Sequence, residues 1–190
     1  MTDDIRLDSD AVRVLAHPLR SRLLSALRQH GAATATELAD RLDTNTGATS
    51  YHLRKLESVG LVVDTGEGEG KRRLWRAASR SHSWRKSDFD HDEDAQTSME
   101  WLNRDYVRLA TDRMYAWLDA EHGWSSEWRD ALGYGDDGAL VTPAQAREMH
   151  DEIYAVLARY RDAGAGDPDA RRILVTVMSH PMDPDPEQGR

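Results

Sequence analysis

The chain has 190 residues, of which 39% are apolar, and its 25 lysines and arginines stand against 34 acidic residues for a net charge of −9. This length suffices for one ordinary domain, or for a small domain with an appendage. The absence of cysteine excludes disulfides, thiolate metal sites and thiol nucleophiles.

The charge is unevenly distributed along the chain. Residues 11–80 carry 12 basic against 7 acidic residues, whereas residues 81–190 carry 12 against 23. A polyanionic partner is therefore plausible for the first half only. The acidic N-terminus does not resemble a secretion signal, and no apolar run approaches the roughly 20 residues that cross a bilayer. We expect a cytoplasmic protein with no membrane partner.

Short helices are predicted along the first 45 residues. Apolar residues recur at helical spacing and the pattern breaks at His17-Pro18, where proline suits the first position of a second helix that ends near Gly31. Thr34 and Glu37 then fit a capping box, which opens a short third helix.

A further helix is predicted over residues 46–58, with Thr44 or Asn45 as its cap. Its apolar positions form a narrow stripe that faces the core. The opposite face carries small, polar or cationic side chains and no acidic one: Thr46, Gly47, Ser50, Tyr51 and Arg54. Such a helix fits the major groove of DNA, where side chains reach base edges. These five residues are candidate DNA contacts.

Two strands are predicted over residues 61–76, joined by a glycine-rich tip. The returning strand begins with three cations, Lys71, Arg72 and Arg73, which suit contact with phosphates or the minor groove. Helices followed by a hairpin wing form the winged helix-turn-helix plan. We therefore predict a winged helix-turn-helix DNA-binding domain at residues 9–78, with helix 46–58 in the major groove and wing 61–76 on the backbone or minor groove.

Three short motifs stand in order in this domain: Leu15-Ala16-His17-Pro18-Leu19-Arg20, Glu37-Leu38-Ala39-Asp40-Arg41-Leu42 and Ser50-Tyr51-His52-Leu53-Arg54-Lys55-Leu56. With them the region resembles the ArsR-like winged-helix transcriptional regulators. The resemblance implies a homodimer that binds a two-fold symmetric operator and usually represses transcription. Thiol metal sensors of that family have cysteines where this chain has Thr34 and Thr36, so a thiolate metal switch is excluded.

Residues 79–97 are predicted to be an acidic linker, serine-rich at first and then running from Asp88 to Asp94. Carboxylates and His91 together could hold a hard or borderline cation. A solvated acidic loop is the commoner outcome for such a run, and we predict neither a metal nor a cofactor.

Residues 98–180 are predicted to form a helical dimerisation region. Its expected elements are a long helix over 98–121, a short helical piece around Trp124 and Trp128, a helix over 142–161, and a β-branched strand over 172–178. This strand needs a partner, which could be the wing, a second subunit or an unrecognised strand. Residues 181–190 are expected to be a loose, proline-rich tail.

Tryptophans are concentrated in this second half. Trp101, Trp117, Trp124 and Trp128 are candidates to line an effector pocket between helices. The alternative is that the aromatic stripe serves packing and dimerisation alone, and the sequence leaves both open.

The predicted fold class is mostly α with a β-hairpin wing, a winged helix-turn-helix, plus a helical C-terminal extension that ends in a strand. The predicted function is that of a dimeric DNA-binding transcriptional regulator that recognises an imperfect palindrome in double-stranded DNA. No phosphate-binding loop, nucleophile elbow or zinc-protease motif is present, so we do not expect an enzyme. The alternative is a winged-helix protein-interaction module without direct DNA binding.

Overall fold

The computed structural model describes residues 2–68, 70 and 72–183. The chain divides into two compact units, Met1–Tyr115 and Ala116–Arg190. Within the described residues, no helix combines the length and the apolar character that a membrane crossing requires.

The first unit contains the elements of the winged helix and the start of a long helix. In chain order they are β1 (Thr2–Arg6), α1 (Ser9–Leu15), α2 (Pro18–His30), β2 (Ala33–Thr34), α3 (Ala35–Arg41), α4 (Thr46–Glu57), β3 (Val62–Asp64), β4 (Leu74–Ala77), β5 (Ser79–Ser83) and α5 (Glu93–Ala120). The predicted mostly helical fold with a small antiparallel sheet is confirmed.

Local signals place the helix ends where the sequence predicts them. His17 caps α2 because its Nδ1 accepts the Leu19 N–H at 3.1 Å, and Pro18 takes the first helical position. The capping box of α3 is formed, with the Glu37 N–H donating to Thr34 Oγ1 at 3.3 Å. Gly60, at a φ of 71°, ends α4 in the left-handed conformation that favours glycine.

The wing sheet has three strands rather than the predicted two. β3 and β4 pair antiparallel, with Val62 opposite Ala77, and β2 joins the outer edge of β4. Trp75, on β4, is buried beneath the sheet. A β2 of two residues carries too little pattern to be recognised in a sequence, and only its pairing with β4 defines it.

The predicted linker at 79–97 is wrong, because this segment is folded. β5 pairs in parallel with β1, a short 3-10 turn follows at Lys86–Phe89, and α5 begins at Glu93. Phe89 is among the most buried side chains of the core. Two members of the acidic run pair with arginines of the N-terminal segment: Asp88 with Arg6, and Asp92 with Arg13. The acidic run is therefore part of the fold.

Polar contacts join α5 to α2 along one face of each helix. Asp105 is buried and accepts a hydrogen bond from Ser21 Oγ at 2.9 Å, and Arg113 donates to Ser25 Oγ at 2.9 Å. Buried polar groups need such partners. The first half of α5 is therefore part of the winged-helix unit, and its residues Met99 and Leu102 contribute to the same core.

The second unit contains the end of α5, α6 (Ser126–Ala131) and α7 (Pro143–Tyr160). Neither α6 nor α7 buries a residue fully. The strand predicted over 172–178 is not formed, and these residues have no regular secondary structure. The physical reason is that β-branched residues favour an extended chain but form a strand only against a partner, and none is offered by the described part of this chain. Ser179 is instead hydrogen-bonded to His150 of α7 at 2.6 Å.

Candidate nucleic-acid interface

Helix α4 is fixed in place by its inner face and by its N-terminus. Thr49, Leu53 and Leu56 are fully buried, and the Asn45 side chain accepts the Ala48 N–H at 2.8 Å as the N-cap. Asp43 precedes it in the turn after α3, with a φ of 50°, a conformation that aspartate tolerates better than most residues. The helix is thereby held with its other side outward.

The outward face of α4 carries the predicted residues. Thr46, Gly47, Tyr51 and Arg54 are exposed and Ser50 is half-buried. The Tyr51 side chain is 55% exposed. The structure therefore brings all five predicted α4 residues to one accessible surface.

Sequence reasoning missed Lys55 as a member of this face. Its Nζ lies 5.9 Å from the centre of the Tyr51 ring, a cation–π distance. The signal that could have found it is its position four residues after Tyr51, which places the two side chains on the same side of a helix. The exposed cations of α4 are thus Arg54 and Lys55.

The wing arginines differ in what they contact. Arg72 is exposed. Arg73 lies 3.6 Å from the Glu57 carboxylate at the end of α4 and 3.4 Å from the Asp64 carboxylate of β3. Its guanidinium also lies 5.6 Å from the centre of the Trp75 ring. Arg73 therefore links the wing to α4, while Lys71 lies outside the described residues.

Two histidines meet behind the exposed face. The rings of His17 and His52 are 4.3 Å apart between centroids, and His52 Nδ1 is buried with no hydrogen-bond partner among the described residues. Burial, with the nearby positive charge of Arg20, lowers the pKa of both imidazoles. Both rings are therefore neutral near pH 7, and they join the start of α2 to the middle of α4.

The predicted effector-pocket tryptophans fall into two groups. Trp101 is half-buried and packs against the core of the first unit. In the second unit, the ring of Trp124 lies 5.7 Å from that of Trp117 and 6.0 Å from that of Trp128, in both cases edge to face. The structure brings these three together, and Trp124 and Trp128 line a cavity of about 450 Å³.

Comparison with known proteins agrees with this geometry. No curated protein matches the chain. A family model described as a helix-turn-helix domain matches residues 15–65, which run from the end of α1 to just beyond β3 and include the whole of α4. Over these residues the chain is similar to the domains by which transcriptional regulators bind DNA, and the match supports a DNA-binding regulator rather than an enzyme.

Proposed function

We propose that this protein is a homodimeric, sequence-specific repressor of the ArsR-like type that lacks a thiolate metal switch. The observation that carries the proposal is the outward face of α4, where Tyr51, Arg54 and Lys55 are exposed and no acidic residue stands between Thr46 and Lys55. A face of this composition is suited to a polyanion, because it can approach phosphates without like-charge repulsion.

In the proposed complex, α4 lies in the major groove. Arg54 has the planar fork that matches guanine O6 and N7, while Thr46 and Ser50 offer hydroxyl groups to base edges or phosphates. Tyr51 and Lys55 flank them on the same surface. Arg72 contacts a phosphate, and Arg73 keeps the wing at its angle to α4 through Glu57 and Asp64.

A dimer is supported by apolar side chains that the second unit leaves exposed. Leu174 is 57% exposed, and its neighbours Ile173 and Val175 are exposed as well. Contiguous apolar surface on a soluble protein marks a place where another molecule binds. In a two-fold dimer the recognition helices would lie about 34 Å apart, one turn of DNA, and the operator would be an imperfect palindrome. Repression would follow from covering the promoter.

The first test is a gel-shift titration on the DNA upstream of the protein's own gene, beside random DNA of equal length, at two salt concentrations. We expect tighter binding to the upstream fragment and a steep loss of affinity with salt, because phosphate contacts release counterions. Equal and feeble binding to both DNAs would contradict the proposal and favour a protein-interaction module, for which a pull-down is the direct assay.

Arg54→Ala and Arg72→Ala are expected to weaken DNA binding in different ways. Loss of Arg54 should remove about 1–3 kcal/mol of preference for the operator and leave binding to random DNA nearly unchanged, because a base contact carries the specificity. Loss of Arg72 should weaken both DNAs alike and lower the salt dependence by about one phosphate contact. Titrations of each variant on both DNAs at several salt concentrations measure the two effects.

Arg159→Ala is the matched control for these two variants, since Arg159 is an exposed arginine on α7 and has no place in the proposed interface. It should bind both DNAs as the wild type does. Equal losses on operator and random DNA for Arg54→Ala would remove this residue from base recognition.

Leu174→Asp is expected to convert the dimer into a monomer. A carboxylate at the centre of an apolar interface would have to be buried without a partner, which costs several kcal/mol. Light scattering coupled to size exclusion gives the mass of each variant against the 21.5 kDa chain. Ala144→Asp is the control, because Ala144 is exposed on α7 and presents little apolar surface; a dimer that survives Leu174→Asp would place the interface elsewhere.

A further inference from the structure

The second unit contains a cavity of about 450 Å³ between the α6 region and the loop after α7. Its lining residues are Gly123, Trp124, Ser125, Glu127, Trp128, Asp169 and Arg171. Two segments that are distant in sequence thus meet around one space: the first supplies both aromatic rings and Glu127, and the second supplies Asp169 and Arg171. A space of this size accommodates a small organic ion or the end of a long side chain.

The aromatic part of the lining has the form of two walls. The ring planes of Trp124 and Trp128 are inclined at 74°, with 6.0 Å between their centroids. The ring of Trp117 lies 5.7 Å from that of Trp124, edge to face. The backbone of Trp128 is fixed at the start of α6, because its backbone N–H donates to the capping Ser125 Oγ at 3.4 Å. Indole rings are the strongest cation–π partners among side chains.

The charged part of the lining is negative on balance. Glu127 and Asp169 each contribute a carboxylate, and Arg171 contributes the one guanidinium. That guanidinium donates to the backbone carbonyls of Pro168 at 2.8 Å and Ala170 at 2.9 Å. The two carboxylates outnumber the single guanidinium in this lining, so its net charge favours a cation.

We propose that this cavity binds a methylated ammonium group, with Trp124 and Trp128 as its walls and Glu127 and Asp169 as its counter-charges. A bare ammonium group is strongly hydrated and requires hydrogen-bond acceptors on all sides. A methylated one has lost most of its donors, so indole faces can replace its water at lower cost. The proposal goes beyond the proposed function by adding a ligand site, and the ligand could be a free small molecule or a methylated lysine of another protein.

The test is calorimetric titration of the full chain with tetramethylammonium and choline, and with 3,3-dimethylbutan-1-ol as the neutral molecule of the same shape as choline. We expect saturable binding of one cation per chain and at least about tenfold weaker binding of the neutral molecule. A trimethyl-lysine peptide in a parallel titration distinguishes the two sources, since the tighter ligand identifies the natural class. Equal binding of choline and its neutral analogue, or binding of no cation at all, overturns the proposal.

Variants then locate the site. Trp128→Ala should weaken cation binding about tenfold or more, Trp128→Phe should retain part of it, and Glu127→Gln should weaken it several-fold without removing a wall. Glu148→Gln, an exposed carboxylate on α7, is the matched control and should bind as the wild type does. Unchanged binding in both Trp128→Phe and Glu127→Gln would move the site elsewhere, whatever happens to Trp128→Ala.

Gel shifts of the same variants without ligand keep the two proposals separate. The cavity residues lie outside the proposed DNA interface, so Glu127→Gln should bind operator normally even if it no longer binds a cation. Failure to bind DNA would contradict the proposed function alone, and failure to bind cations would contradict the cavity assignment alone.

Discussion

Lowering the pH from 7.5 to 5 is expected to destabilise the folded protein by about 2 kcal/mol through His82 alone. Burial, with the positive charge of Arg28, lowers the pKa of His82 from 6.5 to about 3. His82 therefore binds a proton near pH 6.5 in the unfolded chain, but only near pH 3 in the folded chain. The contribution of neutral His82 to stability is fully present above pH 6.5 and decreases as the pH falls from 6.5 to about 3.

His17 and His52 are expected to act in the same direction. The pKa of each is lowered in the folded state. A proton on His17 Nδ1 would remove the acceptor that caps α2, and a proton on His52 Nδ1 would place a buried donor where the described structure offers no partner. The carboxylates whose pKa is lowered, Glu37, Asp88 and Asp92, titrate at more acidic pH. The loss of stability between pH 6.5 and pH 5 therefore comes from the histidines.

The measurement is denaturant unfolding at pH 7.5, 6 and 5, followed by circular dichroism. His82→Gln should be less stable at every pH but should lose less stability on acidification than the wild type, because one linked proton is gone. His91→Gln, an exposed histidine before α5, is the control and should keep the wild-type pH dependence. An unchanged slope in His82→Gln would contradict the assignment.

Replacing Arg28 by alanine is expected to destabilise the protein by about 3 kcal/mol, because several buried groups would lose their partner at once. The Arg28 guanidinium donates to the Ser79 carbonyl at 3.0 Å, to Ser79 Oγ at 3.1 Å and to His82 Nδ1. Burial lowers the pKa of Arg28 to about 10, so it remains charged at neutral pH.

The same network extends to α5. Because Nδ1 of the neutral His82 ring accepts from Arg28, its Nε2 carries the proton and donates to the Tyr106 hydroxyl at 2.8 Å. Tyr106 is itself buried against these groups, which raises its pKa. Tyr106→Phe should therefore cost only about 1 kcal/mol, since it removes one neutral hydrogen bond and keeps the ring.

Urea unfolding of three variants, Arg28→Ala, Tyr106→Phe and the control Arg41→Ala, tests whether the loss of Arg28 destabilises the protein most. Arg41 is exposed near the end of α3, and its loss should change stability by no more than about 0.5 kcal/mol. Hydrogen exchange adds a local measurement, because Arg28→Ala should also speed exchange in the β1–β5 ladder that Ser79 begins. Equal effects of Arg28→Ala and Arg41→Ala would show that the buried network contributes little.

The helices of the winged domain and the outward face of α4 could be predicted because their signals are local. His17-Pro18 starts α2, Thr34 and Glu37 close a capping box, and Gly60 ends α4, each by contacts within a few residues. Helical periodicity then separates the buried stripe of α4 from its polar face. The alignment of side chains on one face needs no knowledge of distant parts of the chain.

The tertiary structure alone decided which distant segments meet. No element was predicted before α1, and β1 pairs with β5 more than 70 residues later. The acidic run was predicted to be a linker because its arginine partners lie about 80 residues earlier in the chain. The contacts of Arg73 with Glu57 and Asp64 were likewise not predicted. Residues 172–178, in contrast, have the composition of a β-strand but form no strand.

The common physical reason is that helices satisfy their hydrogen bonds locally, whereas strands, ion pairs and buried polar networks need a partner from elsewhere in the chain. The sequence by itself determined the helices, their caps and the surface that α4 presents. Folding determined the β1–β5 ladder, the Arg28–His82–Tyr106 network and the tryptophan cavity, because each depends on which residues the packed core brings within contact distance.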